Sequence, residues 1–196
     1  ERNGEGRPVL RSIVTRPSQG VKAGMITNIE QVSNSIKEAV EAVGEELGIR
    51  ISNAPYSSNC VADYTLMLML MSIRRMRQIL RRNEMNDFTL PGIQGMEMAN
   101  LTVGVLGTGK IGRTVIRDLH GFGSRVLAYD LYENDEVKQY ATYVDLDTLL
   151  AQADAITLHA PGLAENYHML DSAAFAKMKD GVVLVNAARG MLVDTE

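Results

Sequence analysis

The chain has 196 residues, 45% of them apolar and 22% charged, with 20 Lys and Arg against 24 Asp and Glu for a net charge of −4. This is the profile of an ordinary globular chain and excludes a disordered or fibrous one. The mildly acidic balance offers no basic field to a polyphosphate backbone, so nucleic acid is not an expected partner. One domain is comfortable at this length and two full ones are tight. Cys60 is the single cysteine and cannot form an internal disulfide. No N-terminal stretch joins a basic start to an apolar core and a small-residue cleavage site, so the expected setting is reducing and cytoplasmic.

Glu1 to Gly6 is polar and reads as frayed. Val9 to Thr15 reads as a short buried strand and Thr27 to Arg50 as a helical region, in which Ile36, Val40, Val43 and Leu47 share one face. Ile49 to Ser52 is the next expected strand. The Asn, Pro and Ser residues between Asn53 and Asn59 break regular structure. A single long helix is then expected from about Asn59 to Asn83. Its longest apolar run, Leu66 to Met71, is far shorter than the roughly 20 residues that cross a bilayer. No membrane is therefore expected as a partner. The run is apolar all round, which calls for burial on more than one side, in a core or at a subunit interface. Arg74, Arg75, Arg77, Arg81 and Arg82 gather toward the end of this helix and complement its dipole. They read as a solvated face, with a phosphate-binding strip as the alternative.

Phe88 to Asn100 reads as a connecting loop. Beyond it, strands are expected at Leu101–Leu106, Arg125–Tyr129, Ala155–His159 and Val182–Asn186. Helices are expected at Ile111–His120, Asp147–Ala153 and Ser172–Lys179. Strands that alternate with helices and are apolar on both faces imply an α/β fold, a doubly wound parallel sheet covered on both sides.

The strongest local signal is Val103-Gly104-Val105-Leu106-Gly107-Thr108-Gly109-Lys110-Ile111-Gly112. A G-x-G-x-x-G string carries weight here because it follows a strand and opens a helix. Gly107 permits the tight turn, Gly109 lets the backbone approach a pyrophosphate, and Gly112 lets the helix pack on the strand. Asp130 ends the next strand, 18 residues beyond Gly112. A carboxylate there accepts from ribose hydroxyls and repels a 2′-phosphate, which favours NAD over NADP. No Lys-Ser or Lys-Thr pair follows the glycines, so a nucleotide-hydrolysing P-loop is excluded. A second signal, Val183-Leu184-Val185-Asn186-Ala187-Ala188-Arg189-Gly190, brings small residues and one arginine to a strand's C-terminal end. Small side chains let a flat ring come close, and a guanidinium can clamp a carboxylate with two parallel hydrogen bonds.

Together these segments resemble the D-isomer-specific 2-hydroxyacid dehydrogenases, in particular the D-lactate dehydrogenase branch that includes the reductases of vancomycin-resistance clusters. The resemblance also rests on Tyr56 to Tyr64, Thr157-Leu158-His159-Ala160-Pro161, Asn166-Tyr167-His168 and Leu192-Val193-Asp194-Thr195. It implies a bilobal enzyme that moves hydride between NADH and a small 2-oxo acid such as pyruvate. By the same resemblance, residues 1–55 are a partial flavodoxin-like substrate lobe and residues 56–100 a linking helix and loop that contacts a second copy in a homodimer. Residues 101–196 are the Rossmann NAD-binding domain, incomplete at its C-terminus.

Position by position, the resemblance puts Gly107, Gly109, Lys110, Ile111 and Gly112 on the pyrophosphate and Asp130 on the adenosine ribose. Ala160, Pro161 and Asn166 contact the cofactor from the next strand and loop, and Ala187 and Ala188 lie near the nicotinamide. Arg189 matches the catalytic arginine, which also lies at the cofactor, and Tyr56 a tyrosine that faces substrate. No metal is implied.

The family's acid/base histidine and its carboxylate partner stand beyond the Arg-Gly motif, and the sequence ends at Glu196. The expectation is a chain shortened at both ends that binds NAD without turning over by itself. His120 reads as a helix-end residue, His159 as packing beside the cofactor edge and His168 as structural. Before Tyr56, the family's closely spaced Arg, Gly and Ile-Asp pattern is not matched, so no substrate contacts are assigned there. Two other readings stand beside this one: a non-catalytic NAD-binding or dimerising module, and another nucleotide enzyme on the same sheet.

Overall fold

Val103 and Val105 point to one face of a central strand and Gly104 and Leu106 to the other, and all four are buried. A strand apolar on both faces must be covered on both, and the rest of the fold supplies the two covers. The computed structural model describes residues 57–196, together with residues 21–22, 25–26, 42 and 44. The strands expected at Val9–Thr15 and Ile49–Ser52, and Tyr56, lie outside the described residues; of the Thr27–Arg50 region Ala42 and Gly44 are described, both helical. The chain divides into two compact units, Glu1–Pro55 and Tyr56–Glu196. In the first, β1 (Val21–Lys22) pairs antiparallel with β2 (Met25–Ile26).

The second unit holds a five-stranded, all-parallel sheet built from β3 (Thr102–Leu106), β4 (Arg125–Tyr129), β5 (Thr142–Tyr143), β6 (Ala155–Leu158) and β7 (Val183–Asn186). The strand order is β5-β4-β3-β6-β7. The chain runs outward from β3 to β5, then returns past β3 to add β6 and β7. The order therefore reverses between β3 and β6, the crevice where open sheets of this kind bind ligands.

One face is covered by α1 (Ser58–Ile73) and α3 (Lys110–Gly121), with α2 (Met76–Glu84) following α1. Ser57 caps α1 by accepting from the Asn59 N–H at 3.2 Å. Ala62, Leu66, Met69 and Ile73 recur at helical spacing along α1 and join Val103, Val105, Val115 and Ile116 in one core. Burying a side chain such as Met69 contributes about 2 kcal/mol relative to exposure. The other face is covered by α4 (Leu146–Gln152) and α5 (Ser172–Phe175), with Leu149, Leu150 and Leu170 packed on Leu106, Ile156 and Leu158. A Cβ on Gly104 would run into the Leu149 side chain, so this glycine sets how closely α4 lies on the sheet. The edge away from the crevice is stapled by Asp154, which accepts from the Thr102 N–H at 2.8 Å and from Lys179 Nζ at 2.8 Å. Burial alone would raise the Asp154 pKa, but these two donors outweigh it and hold the carboxyl below its usual range.

Two expectations are corrected. The single helix to Asn83 is two: Arg75 takes a left-handed conformation at φ 53° and separates α1 from α2. Its cause lies 20 residues on, where the Met96 N–H donates to the Ile73 carbonyl at 2.9 Å and Gly95 packs on the Arg74 backbone, taking the acceptor that a continuing helix would use. Only Arg81 and Arg82 then stand in the last turn of a helix, and Arg82 donates to the Thr89 carbonyl at 2.8 Å. Within this unit the apolar run has Leu66 and Met69 inside and Met67 and Met71 exposed, which leaves the expectation of a core or a subunit interface standing. Finally, the helix expected to reach Lys179 ends at Phe175, where the Lys177 and Met178 amides turn to carbonyls three residues back. β5, two residues long, is an addition that no periodicity announces.

Candidate NAD site

Because all five strands are parallel, the C-terminal ends of β3, β6 and β7 lie along one edge. The glycine loop leaves β3 there, His159 and Ala160 leave β6, and Asn186 to Arg189 leaves β7. Gly107 has φ 96°, a conformation that favours glycine, and its N–H donates to the Tyr129 carbonyl at 2.9 Å. A Cβ there would stand 2.6 Å from the Ala160 nitrogen and 2.7 Å from the His159 carbonyl carbon. A Cβ on Gly112 would run into the Gly107 carbonyl, which brings the start of α3 directly against the loop. Gly109 differs: nothing lies within 4 Å of its Cβ position.

That open cradle fits a pyrophosphate. Gly109 is the N-cap of α3, no side chain caps the helix and its first turn holds no acidic residue. The first-turn N–H groups and the positive end of the dipole therefore face the space beyond Gly109. Lys110 is exposed in that turn, and Ile111 is half-buried against the core.

Asp130, half-buried at the end of β4, accepts on Oδ2 from the Thr108 N–H at 2.6 Å and the Thr108 hydroxyl at 3.0 Å. Its Oδ1 accepts from the Tyr132 N–H at 3.1 Å. The carboxylate is thus tied to the glycine loop by Thr108, a residue to which sequence reasoning assigned no role.

Ala160 is half-buried and Pro161 exposed at the exit of β6. Asn166 closes the loop that follows: its Oδ1 accepts from the Leu163 N–H at 2.8 Å and its Nδ2 donates to the Pro161 carbonyl at 2.6 Å. Its amide therefore braces the segment that carries Pro161. Gly162 packs on Arg189, where a Cβ would stand 3.1 Å from Arg189 Cγ. Ala187 and Ala188 are half-buried and Arg189 is exposed. Asn186 holds this turn in shape, accepting from the Ala188 N–H at 3.0 Å and donating to the Arg189 carbonyl at 2.8 Å. Arg189 Nη1 donates to the Ala188 carbonyl at 3.0 Å, which leaves its other N–H groups for a ligand.

The three histidines are accounted for locally. Burial lowers the His159 pKa to about 4, so the ring is neutral at neutral pH; its Nε2 lies 3.1 Å from Thr157 Oγ1. His120 meets the Tyr140 ring edge-on in the last turn of α3. The His168 ring stacks on Tyr167 and faces Asp194 at 3.6 Å, while the His168 backbone N–H donates to the Met191 carbonyl at 2.8 Å. Among the described residues no cluster of His, Cys, Asp and Glu could hold a metal ion, and no helix is long and apolar enough to cross a membrane.

Comparison with known proteins agrees with this geometry. An aromatic 2-oxoacid reductase of Clostridium sporogenes is 47% identical over 154 residues, which cover 78% of this chain and 46% of that protein. A D-lactate dehydrogenase of Leuconostoc mesenteroides subsp. cremoris is 46% identical over 153 residues, 77% of this chain and 46% of its own. The chain spans about half the length of such relatives. Among solved structures, the D-lactate dehydrogenase of Escherichia coli matches with a TM-score of 0.72 at 40% identity, covering 79% of this chain and 50% of the other. The Aquifex aeolicus D-lactate dehydrogenase complexed with NAD and lactic acid matches with a TM-score of 0.71 at 37% identity, covering 79% and 47%. Residues 66–196 match the family model for the D-isomer specific 2-hydroxyacid dehydrogenase NAD binding domain. With the reversed strand order, the three glycines and the Asn186 to Arg189 turn all in place, the chain belongs to the D-isomer-specific 2-hydroxyacid dehydrogenase family and carries its NAD-binding domain.

Proposed function

We propose that this chain serves an NAD-dependent oxidoreductase that interconverts a small 2-oxo acid, of the pyruvate type, and its D-2-hydroxy acid. The observation that carries the reading is the Arg189 guanidinium, exposed at the end of β7 and packed through its stem on Gly162, in the loop that follows the cofactor edge of β6. The nicotinamide, when bound, supplies the hydride. The chain's own residues position and polarise. The α3 N-terminus with Gly109, Lys110 and Ile111 holds the pyrophosphate, and Asp130 accepts from the adenosine ribose. Ala187 and Ala188 leave room for the ring. Arg189 clamps the substrate carboxylate and steadies the charge that develops on the 2-oxo oxygen, a contribution stronger in the transition state than in the ground state.

A titration tests the cofactor half of this reading. NADH is expected to bind the purified chain more tightly than NADPH, and Asp130→Ala to narrow that preference by about tenfold, the scale of a lost charge-assisted hydrogen bond. An unchanged preference would remove Asp130 from the ribose site.

The same reading makes residues 1–55 part of a substrate lobe and gives Tyr56 a substrate-facing role, both on the strength of the sequence resemblance. It also makes the protein a homodimer. Phe88 and Leu90 are each 74% exposed, and Met67, Met71, Leu80 and Met85 add to the apolar surface along α1, α2 and the segment after them. Such a surface suits a second copy of the chain better than water. Sedimentation velocity is expected to show a dimer, and a monomer at all concentrations would refute the pairing. Cys60, exposed and free, accords with a reducing, cytoplasmic setting.

A further inference from the structure

A chain of hydrogen bonds ends on Asp130, and its first donor sets its direction. The Asn134 N–H donates to the Tyr143 hydroxyl oxygen at 3.0 Å. Tyr143 has one proton to give, and it goes to Thr108 Oγ1 at 2.9 Å. Thr108, having accepted from Tyr143, gives its own proton to Asp130 Oδ2 at 3.0 Å, beside the Thr108 N–H on the same oxygen at 2.6 Å. A backbone amide only donates and an ionised carboxylate only accepts, so the relay runs one way. Thr108 is 4% exposed, and a hydroxyl buried that deeply is costly to leave unpaired. β5 acquires a purpose here: its pairing with β4 at Leu127 and Ala128 puts Tyr143 beside the glycine loop.

A carboxylate offers about four lone-pair sites. Thr108 fills both on Oδ2, and the Tyr132 N–H at 3.1 Å takes one on Oδ1. The remaining site is on Oδ1, and three donors resist any rotation of the group. A ribose hydroxyl can use that site as it stands. A 2′-phosphate needs the negative group to swing aside, which the relay opposes.

We propose that Thr108 and Tyr143 are positioning residues that pin the Asp130 carboxylate with Oδ1 toward the adenosine ribose, and so supply part of the discrimination between NAD and NADP. The inference rests on the reading of Asp130 as the ribose acceptor. Loosening the relay weakens the ribose contact and at the same time lets the charge turn away from a 2′-phosphate. NADH binding therefore weakens while NADPH binding does not, which a general loosening of the glycine loop would not produce.

The test is titration of the purified chain with NADH and, separately, NADPH, with thermal unfolding of each variant alongside. Tyr143→Phe and Thr108→Val are each expected to weaken NADH binding about fivefold, the scale of one hydrogen bond, while NADPH binding holds or tightens. Thr108→Ser retains the hydroxyl and is expected to keep the wild-type ratio, which leaves the question answerable if Thr108→Val folds poorly. In an Asp130→Ala background, Tyr143→Phe is expected to change neither affinity. Equal losses for both cofactors, no loss of NADH affinity, or the same loss in the Asp130→Ala background would each overturn the relay. If Asp130→Ala itself leaves the cofactor ratio unchanged, the ribose reading fails and the relay with it. If that variant shifts the ratio and the relay variants do not, only the relay falls.

Discussion

Arg189→Lys, made in the longest natural form of this protein, is expected to cut turnover of a 2-oxo acid by about two to three orders of magnitude, the loss seen when one donor to a developing oxyanion is removed. The change keeps the positive charge and discards the geometry. A guanidinium presents donors in a flat fork that matches a carboxylate, whereas an ammonium is a point charge on a flexible stem. The scaffold around Arg189 is built for orientation. Asn186 bonds to both ends of the Ala188 to Arg189 segment, and Gly162 leaves room for the arginine stem. Steady-state kinetics should show kcat falling along with a rise in KM, because the carboxylate clamp and the polarisation of the 2-oxo group are lost together. Near-normal turnover would show that Arg189 is a surface charge.

Gly107→Ala is expected to destabilise the NAD-binding domain by about 3 kcal/mol and to abolish measurable NADH binding. Two penalties coincide at this position. At φ 96° any Cβ is strained, and the atoms it would meet, the Ala160 nitrogen at 2.6 Å and the His159 carbonyl carbon at 2.7 Å, belong to the backbone leaving β6. Neither can yield without moving the edge that faces the cofactor. Gly109→Ala is the informative contrast. Its Cβ meets nothing within 4 Å, so thermal unfolding should hardly change while NADH binding weakens, because the methyl would occupy the pyrophosphate's approach. Wild-type stability in Gly107→Ala, or wild-type NADH affinity in Gly109→Ala, would contradict this division between a turn glycine and an approach glycine.

Much of the NAD-binding domain is legible along the chain. Val103 to Leu106, Arg125 to Tyr129, Ala155 to Leu158 and Val183 to Asn186 are short apolar runs bounded by turn residues, and each is a strand. The glycine string declares the turn, the helix start and the close packing within ten residues. What escaped is non-local. The break at Arg75 is made by Gly95 and the Met96 amide, which helical periodicity between Val61 and Asn83 cannot register. β5 has two residues and hence no period. Thr108 and Tyr143 stand 35 positions apart and met only on folding.

The sequence by itself determined the alternation of strands and helices, the glycine loop with Asp130 beyond it, and the family, because these are properties of backbone preference and spacing within short stretches. Only the tertiary structure decided the rest. Strand order placed the reversal between β3 and β6, and parallel pairing brought the ends of β3, β6 and β7 to one edge. The need to satisfy every buried donor and acceptor then chose which distant side chains hold Asp130. Residue type can name a carboxylate as a ribose acceptor, but the direction in which it points is set by its hydrogen-bond partners, and those are assembled by packing.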